Sequence, residues 1–518
     1  MATEVDDWDL PYPCEVVTLN PDDDDEWDSL LFELGREKTR RREVYGDRPL
    51  ARCLEVARSN MARSLVIETR YVDLDYRSEY SAFYSKAFEP FHDACRRLHF
   101  FATELDAEEV TRLSPENRES YLGYVVLRPP QVKAAVGRTM LRPPQRDIGN
   151  AVRTAVREDV FFFGQKLTVR AVPFMQQDAR LGTCAHVAIW MAHYSAVRAD
   201  HRVARQPIAE FSLSTDPSLG LGRVTPSPGL TLHQMSDVLE RTGLSPIYYE
   251  CAHLTDDDLV ENRRSSRAQR VTRVCCRYLN SGLPVIAVVS HVKSRSRLAR
   301  KFVDSPLHAI VVCGYFRSGD EVLFVAHDDR RGPYLTYKSV MDDYDEAWQE
   351  ACRWDHVLAP VPQKLWLTGE AAERSGAEYL IEAARVAVRA GVEPAQDVLS
   401  RHAAGKLRFR TFAITGNRFK RRVGEAITDP GVLRTYREAR LPRYIWCVEA
   451  IDIDANSKDE PECVLAEVIY DATSDARSPR ILATRLPGVI YVDRPDIPDW
   501  HLKTGLSGLR ESFGQYSP

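Results

Sequence analysis

A chain of 518 residues exceeds what one ordinary hydrophobic core organises, so it implies several domains. With 44% hydrophobic and 28% charged residues and a formal net charge of −5, it reads as a globular protein without general attraction for nucleic acid. Its eleven cysteines form no Cys-x-x-Cys pairs, and no phosphate loop or dinucleotide fingerprint stands at proper spacing, so neither a metal nor a cofactor is expected.

Residues 1–49 open acidic, and Met1 to Leu10 lacks the apolar stretch of a secretory signal. Together with the absence of any apolar run long enough to span a bilayer, this predicts a cytoplasmic location without membrane attachment. The cluster Asp22 to Asp25, followed by Glu26 and Asp28, suggests a mobile tail. Residues 50–170 read as a small α/β domain, with strands at Leu65–Tyr71 and Tyr121–Leu127 and a helix over Ser81–Phe101. Residues 171–360 change texture. A helix begins near Gly182 and another covers Thr231–Thr242, before strands at Val285–Ser290, His308–Tyr315 and Val322–His327. Residues 361–404 are expected to be a helical connector around Glu370–Ala390. Residues 405–518 form a β-rich domain with strands at Tyr444–Ala450, Val464–Tyr470 and Gly488–Val492. The class is therefore α+β.

The chemistry concentrates in the middle. Cys184 follows Gly182 and Thr183 and opens a helix, where unpaired N–H groups and the positive end of the dipole favour thiolate over thiol. Gln176 and Gln177 lie just upstream, and either side-chain amide, with the Cys184 backbone N–H, suits an oxyanion hole. His308 opens an apolar strand and supplies a general base. The next strand ends at Asp328 and Asp329, either of which can orient the imidazole. Side-chain alternation puts Asp328 on the face of small Ala326, with room for the ring, and favours it over Asp329.

This order of residues resembles the papain-like cysteine peptidase superfamily, and within it the bacterial double-glycine leader peptidases and their relatives. The resemblance rests on Gln176 or Gln177, Cys184, Gly282-Leu283-Pro284-Val285, His308 with Gly314-Tyr315, and Asp328 or Asp329. It implies a central papain-like domain that cleaves a peptide or isopeptide bond of a protein or peptide substrate through an acyl-enzyme. Ala185 stands where those leader peptidases usually carry glycine, so the catalytic roles carry over and the leader substrate does not.

Two alternatives stay open: an inactive papain-like scaffold that binds proteins, and an acyltransferase. The phrase Tyr444-Ile445-Trp446-Cys447-Val448-Glu449 with Asp471-Ala472-Thr473 is similar to transglutaminase-like domains, although tyrosine stands where their histidine would be. Lys293, Arg295, Arg297, Arg300 and Lys301 precede His308 and offer a basic, substrate-facing loop for an acidic peptide or, locally, a nucleic acid; the plainer reading is a solvated face.

Overall fold

The computed structural model describes residues 14–35, 48–145, 148, 150–178, 183–199, 204–215, 229–254, 266–291, 307–318, 321–340, 352–427, 429–452, 463–493, 501–502 and 510–511. Helix and strand are both abundant. The chain forms two compact units, one joining Met1–Cys251 to Leu283–Pro360 and the other joining Ala252–Gly282 to Val361–Tyr516. The expected domains at 50–170 and 171–360 thus belong to one unit, except that residues 252–282 belong to the other.

The first unit begins with β1 (Cys14–Thr18) and α1 (Asp24–Leu34), in the segment expected to be a mobile tail. That expectation is corrected here. The Asp23 side chain accepts the N–H groups of Asp25 and Glu26, capping the helix, and Trp27, Leu30 and Leu34 bury one face at helical spacing. Local acidity was outweighed by this stripe. Next come α2 (Arg48–Ser59), β2 (Ser64–Tyr71), α3 (Leu74–Ala82), β3 (Cys95–Phe101), two single-turn helices α4 (Ala107–Thr111) and α5 (Pro115–Glu119), β4 (Tyr121–Leu127) and β5 (Val136–Leu141). The helix expected over Ser81–Phe101 is instead the end of α3, a short turn and β3. Strands β1-β2-β3-β4-β5 pair antiparallel in that order, so this region lacks the parallel crossovers of an α/β domain. Every residue of β4, the strand between β3 and β5, is buried, so the sheet is covered on both faces there.

A hairpin, β6 (Val156–Phe162) and β7 (Gln165–Ala171), leads to α6 (Cys184–Ala199), α7 (Ile208–Leu213), α8 (Leu232–Arg241) and β8 (Leu244–Glu250). Helix α6 is buried nearly all round from Ala185 to Ala196, as expected of a central helix. After α9 (Arg267–Asn280), which belongs to the second unit, the first unit resumes with β9 (Val285–His291), β10 (His308–Ser318), β11 (Glu321–Asp328), β12 (Gly332–Tyr337), β13 (Ser339–Val340) and β14 (Cys352–Pro362). Their order is β12-β11-β10-β9-β14-β13, with β8 on β14. Helix α6 packs on β10 and β9.

Strand β10 carries a bulge between Val312 and Gly314. Residues 151–154 are fastened there: Tyr315 N–H donates to Ala151 O at 3.0 Å, and the N–H groups of Arg153 and Thr154 donate to Cys313 O at 2.9 and 3.2 Å. A Cβ on Gly314 would stand 2.2 Å from Ala151 O, so glycine is required by close backbone approach.

In the second unit, α10 (Gly369–Arg389) and α11 (Gln396–Ala403) precede β15 (Leu407–Thr415), α12 (Gly416–Ala426), α13 (Pro430–Glu438), β16 (Tyr444–Asp452), β17 (Cys463–Asp471), β18 (Ile481–Leu486) and β19 (Val489–Val492). Strands β15 to β19 pair antiparallel in sequence order. The expected helical connector is part of this unit's core, because α10 packs on β15 and β16 and also meets α9. Arg277 of α9 holds Glu373 through two 2.8 Å bonds and reaches Glu370 at 3.2 Å. No helix among the described residues is long and apolar enough to cross a membrane.

Candidate active site

Three element ends meet in the first unit. Cys184 is the first residue of α6 and is partly exposed, whereas most of the helix behind it is buried. His308 is the first residue of β10 and Asp328 the last of β11; neither has measurable exposure. His308 Nε2 donates to Asp328 Oδ1 at 2.8 Å. The Cys184 side chain stands near enough to the same ring to help raise its pKa, and with Nε2 engaged by Asp328 the nitrogen that remains for proton exchange with the sulfur is Nδ1.

Burial opposes charge on the ring, but the hydrogen bond to Asp328 and the neighbouring Cys184 side chain, with the charges of Asp329 and Asp328, outweigh it and raise the His308 pKa to about 10. The imidazolium is therefore the form held at neutral pH. Asp328 also loses hydration, yet three donors hold its carboxyl well below the usual range: His308, the Tyr337 hydroxyl at 2.7 Å from Oδ2, and the Arg330 N–H at 2.9 Å from Oδ1. Sequence reading missed Tyr337. Its signal lay in the hairpin: Tyr337 pairs with Phe324, which shares the strand face of Ala326 and Asp328.

Asp329 sits beside the same nitrogen, its Oδ1 3.3 Å from His308 Nε2, but neither of its buried oxygens makes a hydrogen bond among the described residues. Burial lifts its pKa to about 7, with the His308 charge opposing and that of Asp328 reinforcing the shift. Both aspartates therefore approach the ring and only Asp328 bonds to it. The ligand atoms of His308, Asp328 and Asp329 lie within 4.8 Å of one another, a grouping able to hold a cation.

The raised Asp329 pKa has a measurable sign. A carboxyl whose folded pKa lies above its unfolded value near 3.8 adds stability below that value and loses it as pH rises through about 7. Relative to Asp329→Asn, the wild-type protein is expected to lose stability between about pH 4 and 7, on the order of a few kcal/mol, read from urea unfolding. A difference that stays flat across that window refutes the assignment. His308, raised from 6.5 to about 10, loses its stabilising contribution later, between those two values, in both proteins.

The two upstream glutamines differ in surroundings. Gln176 is buried, and its side-chain oxygen accepts the Val136 N–H at 3.0 Å. Gln177 is only half-buried. Beyond Cys184, Thr183 Oγ1 lies 2.9 Å from His186 Nδ1; burial, opposed by the Asp178 charge, lowers the His186 pKa to about 4, so this ring is neutral. Lys293, Arg295, Arg297, Arg300 and Lys301 lie outside the described residues.

The transglutaminase-like phrase is placed differently. Tyr444 and Asp471 stand at the ends of β16 and β17, and Asp471 accepts the N–H and hydroxyl of Thr473 at 2.9 and 2.7 Å, closing its own turn. Cys447 is buried mid-strand. No known protein-family model matches this chain, and no curated protein is significantly similar to it.

Proposed function

We propose that the first unit is a papain-like cysteine peptidase that cleaves an amide bond of a protein or peptide through an acyl-enzyme. The observation that carries this reading is that α6, opening at Cys184, packs on β10, opening at His308, whose Nε2 is bonded to Asp328 at the end of β11; the nearby Cys184 side chain helps keep that ring charged at neutral pH. The Cys184 sulfur attacks the carbonyl carbon, forming a C–S bond. The C–N bond breaks as His308 passes its Nδ1 proton to the departing amine. Water then gives a proton back to the ring and attacks the thioester; the C–S bond breaks and a carboxylate leaves. An amine in place of water turns the same steps into acyl transfer. Asp328 keeps Nε2 protonated and the ring aligned throughout.

The test is thiol reactivity. Burial pushes the Cys53 and Cys313 thiols far up, and Cys14 is raised by burial and by the Glu68 charge. Iodoacetamide near pH 7 is expected to alkylate Cys184 at least about tenfold faster than any other cysteine, mapped by peptide mass. Equal labelling leaves the inactive-scaffold reading in its place. Comparing new peptide termini produced in a lysate by wild-type and Cys184→Ala protein then identifies substrates.

A further inference from the structure

The approach to Cys184 is stitched to the antiparallel sheet of β1 to β5. Phe174 bridges Thr139 of β5, with N–H···O bonds of 2.8 and 3.0 Å in both directions, and Gln176 N–H donates to Val136 O at 3.1 Å. Residues 174–176 thus run as a partial extra strand along β5. Arg128, at the end of β4 and 1% exposed, donates through Nη1 to Gln176 O at 3.0 Å and through Nη2 to Glu79 Oε1 of α3 at 3.1 Å. Two residues on, the Tyr84 hydroxyl donates to Asp178 Oδ2 at 2.8 Å in a buried contact. Gln176 and Asp178 are therefore both fixed by buried side chains of the N-terminal region. Gln177 between them is the residue left partly exposed.

Resting on the thiol acyl-transfer reading, we infer that Arg128 and Tyr84 are positioning residues. They hold the residues on either side of Gln177, Gln176 by its carbonyl and Asp178 by its carboxylate, so that the Gln177 amide is held as an oxyanion donor, which makes the N-terminal sheet an integral part of the catalytic unit. A bond network this buried fixes geometry because any displacement strands a polar group: releasing Arg128 leaves the Glu79 carboxyl, already raised to about 8 by burial against the pull of Arg128, without its partner.

Two reactions of one sulfur separate positioning from general damage. Alkylation by iodoacetamide displaces iodide at a saturated carbon and forms no oxyanion. Acylation by p-nitrophenyl acetate forms the S–C bond, passes through an oxyanion and expels p-nitrophenolate. In Tyr84→Phe and in Arg128→Lys, which keeps the charge but loses the planar fork, acylation is expected to fall about tenfold. Alkylation should stay within about twofold of wild type. Because both act through Gln177, adding Tyr84→Phe to Gln177→Leu should lower acylation no further.

Acylation unchanged in both folded variants overturns the inference, as does equal loss of acylation and alkylation, or full additivity with Gln177→Leu. Tyr84→Phe removes a single hydroxyl and decides the matter if Arg128→Lys does not fold. Failure of the underlying reading looks different: wild-type Cys184 is then neither selectively alkylated nor acylated.

Discussion

Asp328→Asn is expected to lower ester turnover about 10³- to 10⁴-fold while the protein stays folded, the size associated with neutralising the carboxylate of a nucleophile–histidine–acid triad. The fold should survive because an amide can be accommodated. Its oxygen can keep the His308 and Arg330 donors, and its NH₂ can face Tyr337, whose hydroxyl turns to accept. What disappears is the negative charge that holds the buried ring protonated. Asp329→Asn, which removes no hydrogen bond among the described residues, should cost less than about tenfold. The opposite ranking, with both variants folded, makes Asp329 the orienting acid.

Gly314→Ala should destabilise the first unit by about 3 kcal/mol, at the upper end of overpacking costs, because the added methyl meets backbone. The obstructing atoms are Ala151 O at 2.2 Å and Val152 Cα at 2.7 Å, neither of which can rotate away. Relief requires pulling residues 151–154 off the bulge and losing the bonds to Cys313 and Tyr315. Calorimetry should show the unfolding temperature lowered by roughly 5–10 °C. An unchanged transition refutes the steric requirement. The glycine that contributed to the family resemblance thus has a local cause, the backbone laid against β10.

Much of this was legible in the sequence where a single element declares itself. The β-branched runs gave β4, β9, β10 and β11, and Thr231 with Gln234 marks the start of α8 through a capping box. Cys184, His308 and Asp328 were recognisable because each stands at an element end. The stripe of Trp27, Leu30 and Leu34 was equally readable and was hidden only by the acidic residues around it. Ser81–Phe101 misled because its aromatic residues suit helix and strand alike, although Pro90 argues against a continuous helix. Arg128 and Tyr84 were out of reach. Their partners lie 48 and 94 positions away, and only tertiary pairing reveals them.

The acid end of the site is held by contacts of still longer reach. Arg52 of α2 donates to Pro333 O and Tyr334 O across 281 and 282 positions, and the buried Tyr334 hydroxyl donates to Leu141 O and accepts from Val172 N–H. At a ribosome adding about 5–20 residues per second, Arg52 leaves the exit tunnel roughly 14–56 s before the carbonyls it will grip. A chain cut short before β10 carries the Cys184 thiol but neither His308 nor Asp328. If the proposed peptidase reading holds, such an unfinished copy cannot cleave a bond, and activity is withheld until β12 has been made.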